Sequence, residues 1–391
     1  MRSRNLFMGS PISIVYSIVV LFSMAGAVVA QQAQPDVKPS SSASAPTSSQ
    51  ANVSPAAQDS SKPTLPPGID PKTLRPLYET IQEDWGSLTI GASKLQPEEP
   101  LVAVADAADD TDTFTRTLVQ VKWRPGDPID LWILRPKGVK KPPVVLYLYN
   151  YDQDTARFRN DRWAARVTSG GVAAVGFVSA LSGPRFHDRP MKQWFVSELQ
   201  ESVGSTVHDV KFILDYLVQR GDLDMDRVGM FGEGSGGAIA VLAAAADPRI
   251  KAVDALEPWG DWPDFLAKSL EVQADPDHAE YVKPEFLKKV APLDPVKWLP
   301  ELKVPVRILQ VRQSDSTPIE CKESIKAAAP KQAEVVRFEA ISDLTAREGG
   351  GKLFAWIKAR VQEPGKPGAG PGSVSVADGN TAQVGSNPSH Q

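Results

Sequence analysis

The middle of the chain shows short apolar runs that are rich in β-forming residues. Residues 114–123 and 129–135 are two such runs, and Pro125-Gly126-Asp127 separates them. A turn between two β-rich runs predicts an antiparallel hairpin. Residues 144–149 then form a continuous apolar run, which is typical of a strand that is buried on both faces.

Further along, predicted strands alternate with segments that have the apolar spacing of helices. The predicted strands are residues 172–178, 228–231, 253–256, 306–311 and 334–338, and the predicted helices are residues 161–169, 196–220, 238–246, 322–328 and 350–361. This alternation predicts a mostly parallel sheet with helices on both faces. Near the start, the spacing of large apolar residues predicts another helix over residues 71–85.

The two ends of the chain have a different character from the middle. Residues 1–30 combine early arginines, an apolar run and small residues, which is the pattern of a secretory signal peptide. We predict cleavage near Gln31, export to the periplasm or the medium, and no membrane span after cleavage. Residues 31–67 are a tether rich in Ser, Ala and Pro, and residues 364–391 are a Gly/Pro/Ser tail. Both are predicted to be disordered, which leaves residues 68–363 as the folded domain.

Charge and cysteine content narrow the range of partners. The formal net charge is −4, and basic residues are interspersed with acidic ones rather than gathered in a stripe. We therefore expect no nucleic-acid partner. Cys321 is the only cysteine, so a disulfide within one chain is impossible. No cluster of His, Asp and Glu has the spacing of metal ligands, so no metal and no cofactor are predicted.

One glycine-dense segment carries the main chemical signal. Residues 226–237 read Asp-Arg-Val-Gly-Met-Phe-Gly-Glu-Gly-Ser-Gly-Gly, running from a predicted strand through a tight turn into a helix of small residues. This resembles the nucleophile elbow of the α/β-hydrolases. A phosphate-binding loop or a plain tight turn is the alternative, but the Lys-Ser/Thr pair of a phosphate loop is missing.

Two more segments agree with the resemblance. Residues 293–309 are similar to the family's lead into the strand that bears the acid, and the last predicted helix, with its tryptophan, is similar to the family's end. The chain looks most like the branch with dienelactone hydrolases, acetyl esterases and prolyl-oligopeptidase-type domains. The resemblance implies a three-layer α/β fold, with a mostly parallel sheet of about eight strands and helices on both faces, and action on esters or peptides.

The resemblance also assigns positions to a catalytic triad. It puts Gly234 at the nucleophile position, with Ser235 one residue later, and Asp315 at the position of the orienting acid. Asp343 stands where the family has its base histidine, and a carboxylate is a poor substitute for imidazole near neutral pH. His187 is the candidate base, because its loop follows the strand at 172–178 and loops of this kind lie above the carboxyl ends of strands.

The other histidines and two tryptophans have less specific roles. We expect His208 to be structural or solvated because it lies on the helix before the elbow strand, whereas His278 and His390 lie in a polar segment and in the tail. Trp259 and Trp262 follow the next predicted strand. They either line a binding pocket or pack in the core.

Two functions from different classes are compatible with these residues. The first is an exported hydrolase of esters or peptides that uses Ser235 in a shifted elbow, with Asp315 and His187. The second is a catalytically silent hydrolase-fold protein whose cleft binds an unknown small-molecule, ester or peptide ligand. The fold cannot choose between them, because function depends on the site. If the turn keeps the family's phase, the Ser235 side chain turns aside from the cleft, with no imidazole within reach.

Overall fold

A computed structural model describes residues 83–91, 93–95, 97–102, 109–124, 127–151, 153, 155–181 and 198–363. The predicted signal peptide, tether and tail, and the loop that carries His187, lie outside these residues. So does most of the helix predicted over residues 71–85. Its last three residues are described and are not helical, so the prediction is wrong at that end.

Within the described residues, one sheet of ten strands forms the centre of the fold. The strands are β1 (Leu101–Val102), β2 (Asp109–Asp110), β3 (Phe114–Val121), β4 (Ile129–Pro136), β5 (Pro143–Leu148), β6 (Ala173–Gly176), β7 (Asp224–Glu233), β8 (Ile250–Leu256), β9 (Val306–Val311) and β10 (Glu334–Phe338). Their order is β1-β3-β4-β6-β5-β7-β8-β9-β10, and β2 pairs with β3.

The sheet is parallel from β6 to β10 and antiparallel at the other edge. The predicted hairpin is confirmed, because β3 and β4 pair antiparallel with Phe114 opposite Pro136 and Val121 opposite Ile129. The mostly parallel sheet of about eight strands is also confirmed. The excess over eight is accounted for by β1 and β2, which have two residues each and lie at the antiparallel edge.

Helices cover both faces of this sheet. They are α1 (Asp161–Thr168), α2 (Leu199–Arg220), α3 (Ser235–Ala246), α4 (Trp262–Lys268), α5 (Leu270–Gln273), α6 (His278–Tyr281), α7 (Pro284–Val290), α8 (Pro295–Trp298), α9 (Ile319–Ala328), α10 (Ile341–Glu348) and α11 (Ala355–Gln362). In the part of the chain that the structure describes, none of these helices is both long and apolar enough to cross a bilayer.

Strand β5 shows how the layers are built. Its alternate residues Val144, Leu146 and Leu148 belong to the core under α2 and α3, whereas Val145 and Tyr147 belong to the core under α1 and α11. Side chains of a strand alternate between faces, so a strand that is covered on both sides must be apolar throughout. This explains the continuous apolar run of the sequence and makes the fold three-layered.

The helix predicted over residues 350–361 begins too early. Gly350 and Gly351 have φ of 71° and 98° and lie in a 3-10 turn, so the regular helix α11 begins only at Ala355. The preceding helix α10 and the short helices α4 to α8 were not predicted. Three of these five short helices have proline in their first turn, where the ring is compatible with a helix.

Candidate active site

The predicted strand-turn-helix at residues 232–237 is confirmed. Strand β7 ends at Glu233 and α3 begins at Ser235, so Gly234 alone makes the turn, with φ 56° and ψ −118°. A residue with a side chain is strained in such a conformation by about 1–3 kcal/mol, whereas glycine adopts it freely. Gly236 is also required by close packing, because a β-carbon there would lie 2.6 Å from the Leu148 carbonyl carbon.

Asn150, in the loop after β5, fills the space above this turn. Its Oδ1 accepts a hydrogen bond of 3.0 Å from the backbone N–H of Ser235. A β-carbon on Gly234 would lie 2.8 Å from Asn150 Cγ, well inside van der Waals contact. In the family that the sequence resembles, the backbone N–H of the residue that follows the nucleophile belongs to the oxyanion hole. Here that N–H is already satisfied by a side chain of the same protein.

Ser235 is the first residue of α3 and is 1% exposed. Its Oγ is buried and has no hydrogen-bond partner in the described part of the chain. General-base activation of a hydroxyl needs an imidazole at about 2.6–3.2 Å, with some allowance in an unliganded protein. No hydrogen bond joins Ser235 Oγ to either described histidine, since His208 bonds to residues 83 and 87 and His278 to Asp275.

Asp315 lies in the loop that follows β9 and is exposed to solvent. Glu257, which directly follows the neighbouring strand β8, organises that loop. Its carboxylate accepts hydrogen bonds from the Val311 N–H at 2.5 Å and from Ser316 Oγ at 3.0 Å. Lys322 lies 3.1 Å from the same carboxylate and donates to the Val311 carbonyl oxygen at 2.6 Å. The loop that carries Asp315 is therefore held by a buried ion pair.

The Glu257–Lys322 pair is buried on both sides, with exposures of 1% and 2%. Burial raises the pKa of Glu257, while Lys322, the Val311 N–H and Ser316 oppose that rise. Glu257 also has a positive φ of 48°, an unusual conformation for a residue with a long side chain. Sequence patterns did not predict this pair, because a lysine near a helix start is normally exposed.

Asp343 has a structural contact of its own. It is exposed near the start of α10, and its Oδ2 accepts a hydrogen bond of 2.9 Å from the Ala340 N–H. A carboxylate in the first turn satisfies an N–H that the helix leaves unpaired. The Asp343 side chain is therefore engaged in helix capping.

The two candidate pocket tryptophans pack in the core. Trp259 and Trp262 are each 1% exposed. The ring of Trp259 lies 4.7 Å from that of Phe265, and Trp262 Nε1 donates to the Leu293 carbonyl oxygen at 3.0 Å. Among the described residues, no group of three or more His, Cys, Asp or Glu is placed to hold a metal ion.

Two solved structures with a similar fold are esterases by name. Acetyl xylan esterase 1 from Thermoanaerobacterium sp. JW/SL YS485 superposes with a TM-score of 0.52 at 16% identity, covering 66% of this chain and 88% of that one. An acetyl xylan esterase from Paenibacillus sp. R4 gives 0.50 at 18% identity, covering 68% and 89%. No family model and no curated protein matches the sequence.

These likenesses establish the class of fold. The chain has the α/β-hydrolase fold that its elbow resembled. At identities of 16% and 18%, shared architecture shows the fold alone, so function has to be argued from the residues at the elbow.

Proposed function

We propose that this chain is a catalytically silent α/β-hydrolase-fold protein that uses its cleft for binding. The observation that carries the proposal is the position of Asn150. Its side chain bonds to the Ser235 N–H and occupies the space of a side chain on residue 234. Asn150 therefore leaves no room for a nucleophile at position 234, and it occupies the N–H that an oxyanion hole would need.

The energetics of the elbow favour this arrangement. In an active elbow the nucleophile is held in a strained conformation, and glycine removes that strain. The carboxamide of Asn150 satisfies an N–H at the start of α3, as an N-cap residue would. The glycine at position 234 and the hydrogen bond to Asn150 both stabilise the fold, and both act against acyl transfer.

The hydrolase alternative uses Ser235 as nucleophile, Asp315 as the orienting acid and His187 as base. Ser235 Oγ has no hydrogen-bond partner among the described residues, so an activated role requires a contact from outside them. This alternative predicts a reactive serine, which makes it directly testable.

Labelling with a fluorophosphonate separates the two functions. We expect the full chain to remain unlabelled under conditions that label an active serine hydrolase, and Ser235→Ala to behave identically. Stoichiometric labelling at Ser235, abolished by Ser235→Ala and by His187→Ala, would instead establish the hydrolase.

Binding needs its own measurement, and the fold neighbours suggest a first ligand class. Because two of them are named acetyl xylan esterases, acetylated xylo-oligosaccharides are suitable probes. We expect calorimetry to detect their binding without release of acetate, and unacetylated oligosaccharides are the matched control. An N-acylated peptide tests the other substrate class.

Export is the remaining part of the proposal and is supported by the composition of residues 1–30. Expression with the native N-terminus in a bacterial host should yield a mature chain that begins near Gln31, as checked by N-terminal sequencing. An uncleaved cytoplasmic product would contradict export.

Removing residues 31–67 and 364–391 should leave the melting temperature nearly unchanged, since segments of this composition bury little apolar surface.

A further inference from the structure

Arg157 places a guanidinium on the same edge of the sheet as the turn at Gly234. It lies in a 3-10 turn, Ala156–Arg159, which follows β5 and the loop that carries Asn150, and it is half-buried. Loops that leave parallel strands at their carboxyl ends lie where ligands bind in open α/β sheets. Arg157 is therefore at the edge of the sheet where the cleft lies.

The ring of Tyr149 supports this guanidinium from one side. Arg157 Cζ lies 3.4 Å from the centroid of the ring, and Tyr149 is 6% exposed. Burial raises the pKa of Tyr149 to about 12, although the charge of Arg157 opposes that rise. The phenol is therefore neutral near neutral pH. It gives Arg157 a stacking surface but no opposite charge.

Gln153 stands between Arg157 and the carboxylate of Glu233. Arg157 Nη2 donates to Gln153 Oε1, and Gln153 Nε2 donates to Glu233 Oε1 at 3.4 Å. Glu233 is the last residue of β7, directly before Gly234, and is 8% exposed. A guanidinium only donates and a carboxylate only accepts, so this orientation of the amide satisfies both. The amide thus separates the two charges, and they form no direct ion pair.

Arg157 has no acidic partner in the part of the chain that the structure describes. Its contacts there are Gln153 and the Tyr149 ring. By contrast, the buried Arg307 lies 2.7 Å from the carboxylate of Asp254. Partial burial of an unpaired charge is unfavourable, and Gln153 takes only one of the five N–H groups that a guanidinium offers. Arg157 therefore has both charge and donors available for an anion.

The surroundings of Arg157 favour an anion with a single charge. The planar fork of arginine matches the two oxygens of a carboxylate and binds them through parallel hydrogen bonds. The next arginine, Arg159, lies over a different ring, that of Trp132, at 5.4 Å from its centroid. Glu233, on the other side of Gln153, repels negative charge and disfavours the higher charge of a phosphate.

We propose that Arg157 binds a carboxylate group of the ligand that occupies the cleft. This inference rests on the proposed binding function, because it gives the ligand of that cleft a chemical class. It does not depend on whether Ser235 is reactive. Fluorophosphonate labelling of Ser235 would refute the silent function and leave carboxylate binding unaffected, so the two failures can be told apart.

Nitrogen NMR of the full chain with labelled arginine measures this binding. Benzoate is the probe, and benzamide, which has the same ring without the charge, is its neutral match. The Arg157 signal is identified by its absence from Arg157→Lys. At constant ionic strength we expect benzoate to shift this signal saturably, with a Kd on the order of 1–10 mM, and benzamide to leave it unchanged.

Three variants test the role of the side chain, with binding followed on the backbone N–H signals around Tyr149. Arg157→Gln removes the charge and should weaken benzoate binding by about tenfold or more. Arg157→Lys keeps the charge but loses the fork, so binding should weaken by about threefold. Arg166→Gln changes another half-buried arginine, on α1, and should bind benzoate as the wild type does. If Arg157→Gln fails to fold, the titration of the wild type still decides.

Four results would overturn the proposal. The first is an Arg157 signal that shows no saturable shift up to about 50 mM benzoate. The second is an equal shift with benzamide, which would show that the ring and not the charge is recognised. The third is equal shifts at Arg157 and Arg166, which would show non-specific binding. The fourth is tighter binding of inorganic phosphate than of benzoate, which would rule out the carboxylate class.

Discussion

Gly234 and Asn150 occupy one space, and a double-mutant cycle measures that relation. Gly234→Ala places a β-carbon 2.8 Å from Asn150 Cγ and puts alanine at a φ of 56°. The backbone strain costs about 1–3 kcal/mol. Displacing Asn150 leaves the Ser235 N–H without its acceptor, which costs about 1–3 kcal/mol more. We therefore expect Gly234→Ala to lower the free energy of unfolding by about 2–6 kcal/mol.

The second single variant and the double variant complete the cycle. Asn150→Ala alone loses the hydrogen bond and should cost about 1–3 kcal/mol. The double variant loses that bond only once, so it should fall by about 2–6 kcal/mol, with a coupling of about 1–3 kcal/mol between the sites. Urea unfolding measures all four proteins. Additive losses, within about 0.5 kcal/mol, would show that the two residues do not compete for space.

The same geometry governs any attempt to rebuild a nucleophile. Gly234→Ser combined with Asp343→His restores the two residues that the resemblance expects at the nucleophile and base positions, beside Asp315. Asn150 still blocks the new hydroxyl and the Ser235 N–H. Hydrolysis of p-nitrophenyl acetate should therefore rise above background only when Asn150→Ala is added. The gain should be small because the site lacks pre-organised support. Activity without Asn150→Ala would contradict this view of the elbow.

Three further variants probe buried contacts. Lys322→Met leaves the Glu257 carboxylate buried without its partner and should cost about 3–5 kcal/mol in urea unfolding; a loss below about 1 kcal/mol would refute the ion pair's role. The pKa of Glu83 is lowered from 4.5 to about 2, so the stability that its ionised form contributes is present above pH 4.5 and is lost as pH falls through 2. Between those pH values the free energy of unfolding should fall by about 3 kcal/mol less for Glu83→Gln than for the wild type. Gly204→Ala would gain about 1 kcal/mol from helix propensity alone, but contact of the new β-carbon with the Trp85 backbone should make the variant less stable than the wild type. A higher melting temperature would contradict this close packing of Trp85 against α2.

The short helices between β8 and β9 show where local patterns stop being informative. Helices α5, α6 and α8 have only four residues each, too few for a clear apolar period and too few to be stable alone. Asp294 fixes two of the neighbouring turns by accepting hydrogen bonds from the N–H groups of Trp262 and Val296. The first of these contacts joins residues 32 positions apart, so propensity within a window cannot reveal it.

The sequence by itself determined the sheet, the hairpin and the glycine at the turn. Apolar periodicity and turn composition are local properties, and a strand covered on both faces, such as β5, shows its burial directly in its residues. The resemblance of residues 232–237 to a nucleophile elbow likewise put Gly234, rather than Ser235, at the turn, and the backbone angles agree.

The tertiary structure alone decided what surrounds that turn. Asn150 contacts Ser235 across 85 positions. Glu257, after β8, contacts Lys322 of α9, and His208 contacts residues 83 and 87 across more than 120 positions. Each contact forms because the fold brings distant segments together, at the carboxyl edge of the sheet or along α2. A side chain's partners, and with them its charge and its access to the cleft, depend on this long-range packing, which no local pattern of residues encodes.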